Sequence, residues 1–251
     1  MHRRQFLATS LASAAALTPA LPAIAAASDP LHILAYGDSN PWGLDPAAAG
    51  PDLQRYSEAQ RWSGVLQAAL GAGVRVATHG LMARTLATDL PEGLAGLSGE
   101  DHNGLRRLPL ALLAERPVHL VVIMLGTNDL MAALQRRPDD VAATVADVAT
   151  AVTRGTVAHP RVRGPRLLLV APPPLGDPRH GPFADDFDAT SVQKSLALAA
   201  ALQTAAQAAG VAYADAANWT HTDGRDGVHL SPAAHRRLGR GIAGAVQRLL
   251  A

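Results

Sequence analysis

The chain has 251 residues, of which 48% are hydrophobic, so it can bury a substantial core in one large domain or two small ones. Its formal net charge of +1, without a basic stripe interleaved with aromatic residues, argues against nucleic-acid binding. The absence of cysteine excludes disulfides, thiolate metal sites and cysteine nucleophiles. Any catalysis must therefore use oxygen or nitrogen groups.

The first 28 residues differ in composition from the rest of the chain. Arg3 and Arg4 precede an Ala/Leu-rich run that ends in small residues suited to a signal peptidase. We predict a twin-arginine-type signal peptide over 1–28 and a mature domain over 29–251 that is periplasmic or secreted. An ordinary amphipathic N-terminal helix is the alternative. No later run reaches the ~18 apolar residues that span a bilayer, so we expect no membrane span in the mature form.

The first predicted strand leads into a candidate nucleophile. The run 31–36 is mostly apolar, which is typical of a buried strand, and it breaks at Gly37. Ser39 then stands where a helix can begin, with Pro41 in the first turn. Backbone N–H groups in such a turn can face a developing negative charge. Ser39 is either a helix cap or a nucleophile, and the tripeptide Gly-Asp-Ser alone favours the cap.

The following segments alternate between helix and strand. Residue spacing predicts helices over 57–71, 105–113, 138–154, 191–209 and from 232 onward, and strands over 74–77, 118–125, 166–171 and 211–214. The run 118–125 is apolar on both faces, which indicates a central parallel strand. Residues 86–102 lack a clear period and are predicted to form a surface loop. The long loop 175–189 is expected to be functional or mobile.

About five alternations of strand and helix predict one three-layer α/β domain. The chain shows no internal repeat, and right-handed crossovers would give a parallel sheet. In such sheets the working site lies beyond the carboxyl ends of the strands. Ser39, the turn 80–85 and Asn128 all fall at that edge.

A second loop supplies candidates for a base and its partner. A serine nucleophile needs a base, the base needs an orienting acceptor, and the oxyanion of the intermediate needs donors. Asp226 and His229 lie three residues apart in a glycine-bearing loop, so the carboxylate can meet the imidazole from one turn. Taken singly, this pair or Asn128 is more often a turn feature. Only the ordered set of motifs along the chain therefore indicates this chemistry.

The ordered set resembles the four blocks of the SGNH (GDSL-type) hydrolase family over nearly the whole mature chain. The blocks are Gly37-Asp38-Ser39, the turn 80–85, Gly126-Thr127-Asn128-Asp129 and Asp226-Gly227-Val228-His229. Finer features, including Trp42-Gly43 and Ala83-Arg84-Thr85, resemble the arylesterase and acyltransferase branch, which is also known for perhydrolysis. The resemblance implies a flavodoxin-like α/β/α sandwich with a five-stranded parallel sheet.

The resemblance also implies roles for five residues. Ser39 would be the nucleophile, His229 the general acid/base and Asp226 its orienting carboxylate. The oxyanion donors would be the backbone N–H groups of Ser39 and Ala83 and the side-chain amide of Asn128. The loss of one such donor typically lowers turnover by ~10²–10³-fold.

Substrate contacts are suggested by motif position alone, at Asn40, Trp42, Arg84 and Leu175. Arg84 is alternatively a strut behind the site. Asn40 stands where the family usually has leucine, which bears on the polarity of the acyl pocket. Ala83 replaces the usual glycine, and its N–H is expected to remain a donor if the local backbone does not require a positive φ.

The expected activity is hydrolysis of short-chain aryl or small alkyl esters through an acyl-enzyme, with acyl transfer to alcohols or peroxide as a further expectation. The alternatives are a carbohydrate O-acetylesterase with the same triad and a non-catalytic periplasmic binding module. No cofactor is expected. No metal is expected because these histidines lack metal-ligand spacing: His79, His102, His119, His180 and His235. The expected partner is a small-molecule ester, and the branch includes homo-oligomers, although the sequence identifies no interface.

Overall fold

The computed structural model describes residues 30–47, 54–94, 96–154 and 164–251. Residues 1–28 lie outside these ranges, so the twin-arginine-type signal peptide and the boundary at residue 29 stay predictions. In the described ranges, every helix is too short or too polar to cross a bilayer.

One sheet of five parallel strands organises the described part of the chain, in the order β2-β1-β3-β4-β5. The strands are β1 (Leu31–Gly37), β2 (Val74–Gly80), β3 (Leu120–Met124), β4 (Arg166–Ala171) and β5 (Ala212–Asp215). β3 is central, and all five of its side chains are buried, because helices cover both faces of the sheet. The order reverses between β1 and β3, so the carboxyl ends of these two strands flank the crevice where such folds place their sites.

Helices form a layer on each face of the sheet. The α-helices in the described ranges are α1 (Ser39–Trp42), α2 (Trp62–Leu70), α3 (Gly104–Ala114), α4 (Pro138–Ala142), α5 (Val145–Arg154), α6 (Ala189–Ala208) and α7 (Pro232–Leu250). Leu34 and Tyr36 of β1 join a core with α3 to α6, while Ile33 and Ala35 join another with α2 and α7. Alternate strand residues face opposite sides. The predicted three-layer α/β/α architecture is confirmed.

Three predicted boundaries are wrong for local reasons. The helix predicted over 57–71 begins as a 3₁₀ turn and becomes α2 only at Trp62, because Arg61 is extended with ψ 151°. The helix predicted over 138–154 divides into α4 and α5 beside Thr144, whose Oγ1 donates a hydrogen bond to the carbonyl oxygen of Val141 at 2.7 Å. β2 continues past the predicted end at 77 because its pairing with β1 extends to Gly80.

Candidate active site

Ser39 begins α1 directly after the carboxyl end of β1. Asp38 caps this helix, since its Oδ1 accepts a hydrogen bond from the backbone N–H of Asn40 at 2.9 Å. Glycine is required at position 37 because a Cβ there would stand 2.7 Å from the carbonyl oxygen of Met124. Close packing of the strand end and the cap therefore hold the Ser39 hydroxyl at a rigid corner, where the residue is 7% exposed.

The loop from Asp226 to His229 is organised around one carboxylate. Oδ1 of Asp226 accepts hydrogen bonds from the backbone N–H groups of Val228 and His229, each at 2.9 Å. Oδ2 accepts one from Nδ1 of the His229 ring at 2.6 Å. Gly227 has φ +70°, which favours glycine. The three-residue spacing lets a single carboxylate hold both the turn and the imidazole.

A hydrogen-bonded chain joins these two loops. The Ser39 hydroxyl donates to Nε2 of His229 at 2.8 Å, and Nδ1 of the same ring donates to Asp226. Burial raises the pKa of Asp226, but hydrogen bonds from the His229 ring and from the backbone of the loop outweigh that effect and keep this pKa below its usual value. Asp226 therefore stays ionised at neutral pH. The imidazole keeps the tautomer that can accept the serine proton.

Asn128 reaches the same place from the neighbouring strand end. It follows β3, and its Nδ2 donates one hydrogen to the carbonyl oxygen of Arg84 at 2.9 Å. The amide nitrogen carries a second hydrogen. Ser39, Ala83, Asn128 and His229 all line one cavity. The structure thus brings together the residues that the motifs suggest for the nucleophile, the base and the oxyanion donors.

Ala83 has a left-handed backbone, with φ +55°. From the sequence, the Ala83 N–H is expected to remain a donor if the backbone here has no positive φ. The backbone does have a positive φ. An L-residue in this region costs about 1 kcal/mol, and such strain persists only where the surroundings hold it. The backbone N–H is still present, because the methyl group strains the turn without removing the donor.

The cavity beside Ser39 and His229 has a volume of about 530 Å³. Most of its walls are apolar, formed by Leu44, Met82, Leu90, Leu94, Met131, Phe183, Phe187 and Val228. The ring of Phe183 lies 5.1 Å from that of His229, tilted by 59°. Two carboxylates, Glu92 and Asp186, also line it. The space suits a small, mostly apolar ligand with a polar end.

The wall formed by 90–94 depends on Asp129, the residue after Asn128. Oδ2 of Asp129 accepts a hydrogen bond from the backbone N–H of Leu86 at 2.6 Å, and Oδ1 accepts one from the Thr88 hydroxyl at 2.9 Å. Sequence reasoning missed this wall because nothing in the aperiodic stretch 86–102 marks a ligand. The sequence does indicate the region of Phe183 and Phe187, since they lie in the loop 175–189, which is predicted to be functional or mobile.

The four suggested substrate contacts lie outside the walls of this cavity. Asn40 accepts a hydrogen bond from the backbone N–H of Leu230 at 3.2 Å, which ties α1 to the loop carrying His229. Trp42 lies under the Arg55 guanidinium, 4.9 Å from its ring centroid. Leu175 packs with Phe187 and Val228 in a small cluster behind the wall. Arg84 lies behind Ala83 and Asn128, and its guanidinium donates to the backbone carbonyls of Gly37 and His79.

Histidines other than His229 make structural contacts. His102 Nδ1 lies 2.9 Å from the carbonyl oxygen of Met82. Burial lowers the pKa of His235 to about 3, so its neutral ring can accept a hydrogen bond from the backbone N–H of Trp62 at 3.3 Å. Across the described ranges, no three His, Asp or Glu side chains are grouped so that they could hold a metal ion.

Asp38 carries an energetic cost at neutral pH. Burial raises its pKa to about 6, against the opposing effects of the Asn40 backbone hydrogen bond and the charges of His229 and Arg84. The folded state therefore binds this proton more tightly than the unfolded chain does. The free energy of unfolding should fall as the pH rises from about 4 to about 6, because ionisation of Asp38 is easier in the unfolded state.

We expect Asp38→Asn to raise the free energy of unfolding at about pH 7 by about 3 kcal/mol and to change it little near pH 4. Asparagine keeps a capping oxygen while removing the buried charge. Urea unfolding followed by circular dichroism at several pH values measures the difference. Asp147→Asn, at an exposed position, is the control and should show no comparable pH dependence. A variant less stable than the wild type at pH 7 would contradict this interpretation.

Comparison with known proteins gives a consistent result. The sequence matches the family model of GDSL-like lipases and acylhydrolases over residues 35–237. A search of curated proteins gave no match. Among solved structures, a carbohydrate acetylesterase from Sinorhizobium meliloti is 36% identical, with a TM-score of 0.79 over 87% of this chain and 99% of that chain. The native aryl esterase of M. smegmatis has the same identity, coverage and TM-score.

A second S. meliloti protein, a carbohydrate acetylesterase family member, is 33% identical, with a TM-score of 0.79 over 88% of this chain and 99% of that chain. The fold and these similarities together define an α/β enzyme of the esterase or acylhydrolase class. The chain belongs to the GDSL-like lipase/acylhydrolase family, the SGNH hydrolases that its sequence motifs indicate.

Proposed function

We propose that the chain is a serine esterase in which Ser39 attacks the carbonyl carbon of an ester. The observation that supports this most strongly is the hydrogen-bonded chain from Ser39 through His229 to Asp226 beside the cavity. His229 takes the hydroxyl proton as the bond to carbon forms. The ionised Asp226 stabilises the resulting imidazolium.

The reaction then passes through an acyl-enzyme. The oxyanion of the tetrahedral intermediate faces the backbone N–H groups of Ser39 and Ala83 and the Asn128 amide. His229 returns its proton to the leaving alcohol, and the acyl group stays on Ser39. Water next attacks this acyl group with His229 as base; the bond from the acyl carbon to Ser39 then breaks, His229 returns the proton to the Ser39 oxygen, and the carboxylic acid leaves.

The proposed substrates are short-chain esters of aryl or small alkyl alcohols, because the cavity is small and its walls are mostly apolar. An alcohol or peroxide that replaces water in the second step would give acyl transfer, which is part of this proposal. The proposed place of action is the periplasm or the medium, as residues 1–28 suggest.

A carbohydrate O-acetylesterase is the second candidate, and the two carboxylates at the cavity favour it. Glu92 and Asp186 are exposed and can accept hydrogen bonds from sugar hydroxyls. A purely aromatic alcohol would make no use of them. The two candidates share the chemistry at Ser39 and differ in the alcohol that the cavity holds.

Comparing an aryl acetate with an acetylated xylo-oligosaccharide separates the candidates. If sugar is the substrate, Glu92→Gln and Asp186→Asn should each lower kcat/KM for the sugar ester by about 3–10-fold and leave that for the aryl ester unchanged. Asp185→Asn, the adjacent exposed carboxylate outside the cavity walls, is the matched control. Equal small effects on both substrates would count against the carbohydrate candidate.

A fluorophosphonate probe tests the serine esterase itself. Its labelling should be confined to Ser39 and should block turnover on every ester. Absence of labelling in folded protein would favour the non-catalytic binding module over either esterase.

A further inference from the structure

Arg84 is nearly buried yet does not line the cavity. It is 8% exposed, and its guanidinium lies 4.2 Å from the centroid of the Tyr36 ring. Nη1 donates hydrogen bonds to two backbone carbonyls, that of Gly37 at 2.8 Å and that of His79 at 2.6 Å. A single nitrogen therefore joins the carboxyl ends of β1 and β2.

Arg84 and its contacts lie within four residues of the proposed backbone oxyanion donors, since Gly37 is two residues before Ser39 and His79 is four before Ala83. Gly37 precedes Asp38 and Ser39, and Arg84 itself follows Ala83 in the chain. The backbone carbonyl of Arg84 accepts the hydrogen bond from Nδ2 of Asn128 at 2.9 Å. Arg84 thus contacts, through its side chain or its backbone, all three segments that carry the donors.

The turn that contains Ala83 needs such support. With φ +55°, Ala83 occupies a region that an L-residue leaves unless its surroundings hold it. The backbone N–H of Arg84 closes the turn on the carbonyl oxygen of Leu81 at 3.2 Å, and its guanidinium anchors the same residue to the sheet. The contacts of Arg84 therefore help to hold the strained backbone of Ala83 in place.

We propose that Arg84 is a positioning residue that sets the relative placement of the Ser39, Ala83 and Asn128 donors and does not touch the substrate. This inference rests on the proposed esterase function. A lysine ammonium has enough donors for the two carbonyls, but it lacks the planar group that covers the Tyr36 ring, so it holds this geometry less well than the guanidinium does.

The test compares Arg84→Lys with Arg136→Lys. Arg136 is a half-buried control whose Nη2 also donates to a backbone carbonyl, that of Asp140 at 2.7 Å, and whose Nε, like that of Arg84, is buried without a hydrogen-bond partner among the described residues. For Arg84→Lys we expect kcat on an aryl acetate to fall about 10–100-fold while KM changes less than about 3-fold. Affinity for a boronic acid that forms a tetrahedral adduct should fall by the same factor as kcat. Arg136→Lys should leave both values unchanged.

Chemical rescue supplies an independent measurement. Arg84→Ala leaves space for free guanidinium, and millimolar guanidinium should restore part of kcat in this variant but not in Arg136→Ala. All rates are taken per active site, counted by fluorophosphonate labelling of Ser39, so partial unfolding does not enter the comparison.

Two results would overturn the proposal. A KM raised more than about 10-fold at constant kcat would make Arg84 a substrate contact. An unchanged kcat per labelled site would leave it a purely structural residue. In both cases labelling at Ser39 persists, whereas failure of the esterase function itself would show as a wild type that the probe does not label.

Discussion

Replacing Ser39 by alanine is expected to lower ester turnover by about 10⁴-fold or more, to near the background rate, with no change in circular dichroism. The substitution removes the attacking oxygen, and the lost hydroxyl has its hydrogen bond to His229 rather than to the scaffold. Steady-state hydrolysis of an aryl acetate measures the effect. His229→Ala should cost a similar factor because the hydroxyl then has no base.

The double variant gives a sharper result. Residues that act in one step are not additive, so Ser39→Ala combined with His229→Ala should be no slower than either single variant. Ser63→Ala is the matched control, since Ser63 is also buried but its hydroxyl has no hydrogen-bond partner among the described residues. Its turnover should equal that of the wild type. A Ser39→Ala variant that keeps half its activity would refute the assignment of the nucleophile.

The pH profile reports on the same step. Activity should fall at acid pH, because an imidazolium cannot accept the proton of Ser39 and the proposed mechanism requires a neutral His229. Hydrogen bonding keeps the pKa of Asp226 below its usual value, so the carboxylate stays ionised and does not cause this loss. A flat profile down to about pH 4 would contradict the role of His229.

The convergence of Ser39 and His229 could be predicted although 190 residues separate them. Each carries a local signal: an apolar strand that breaks at Gly37, and a glycine-bearing loop before a capped helix. The parallel sheet supplies the rest, because it puts the ends of its strands at one edge. Local chemistry and one topological rule were enough to place the two side chains together.

The walls of the cavity could not be predicted in the same way. The stretch 86–94 has no hydrophobic period, and its position depends on Asp129, 43 residues from the backbone group that it holds at Leu86. Hydrogen bonds between a loop and a distant carboxylate leave no pattern in the sequence. Motif position likewise does not show that Trp42 lies beneath Arg55 and away from the cavity walls.

The backbone conformation of Ala83 could not be predicted from the sequence either. The sequence shows only that alanine replaces a glycine, and both signs of φ remained open. The tertiary contacts of Arg84 with two strand ends accompany the positive value. Side-chain identity restricts backbone conformation, but the surroundings decide among the conformations that remain.

Asn128→Ala is expected to lower kcat by about 10²–10³-fold with a small change in KM. The amide would donate to an oxygen that becomes strongly negative only in the transition state, so ground-state binding depends on it little. The alanine variant also loses the hydrogen bond to the Arg84 carbonyl. Affinity for the tetrahedral boronic acid adduct should fall in proportion to kcat.

Asn103→Ala is the control for Asn128→Ala. Asn103 is also a buried asparagine: it caps α3 and donates to Asp89 at 2.7 Å, outside the cavity walls. Its replacement should cost about 1 kcal/mol of stability and leave kcat unchanged. A raised KM with unchanged kcat in Asn128→Ala would make the amide a ground-state contact and remove it from the oxyanion donors.

Asn128→Asp separates the donor from the geometry that surrounds it. Aspartate has nearly the same shape, but an ionised carboxylate would face both the developing oxyanion and the carbonyl oxygen of Arg84, so kcat should fall at least as far as in Asn128→Ala. Arg84→Lys keeps the amide and only displaces it, so its loss should be the smaller one. From highest to lowest, the expected order of kcat is therefore wild type, Arg84→Lys and Asn128→Ala. If Arg84→Lys were slower than Asn128→Ala, Arg84 would act on the substrate more directly than the amide does.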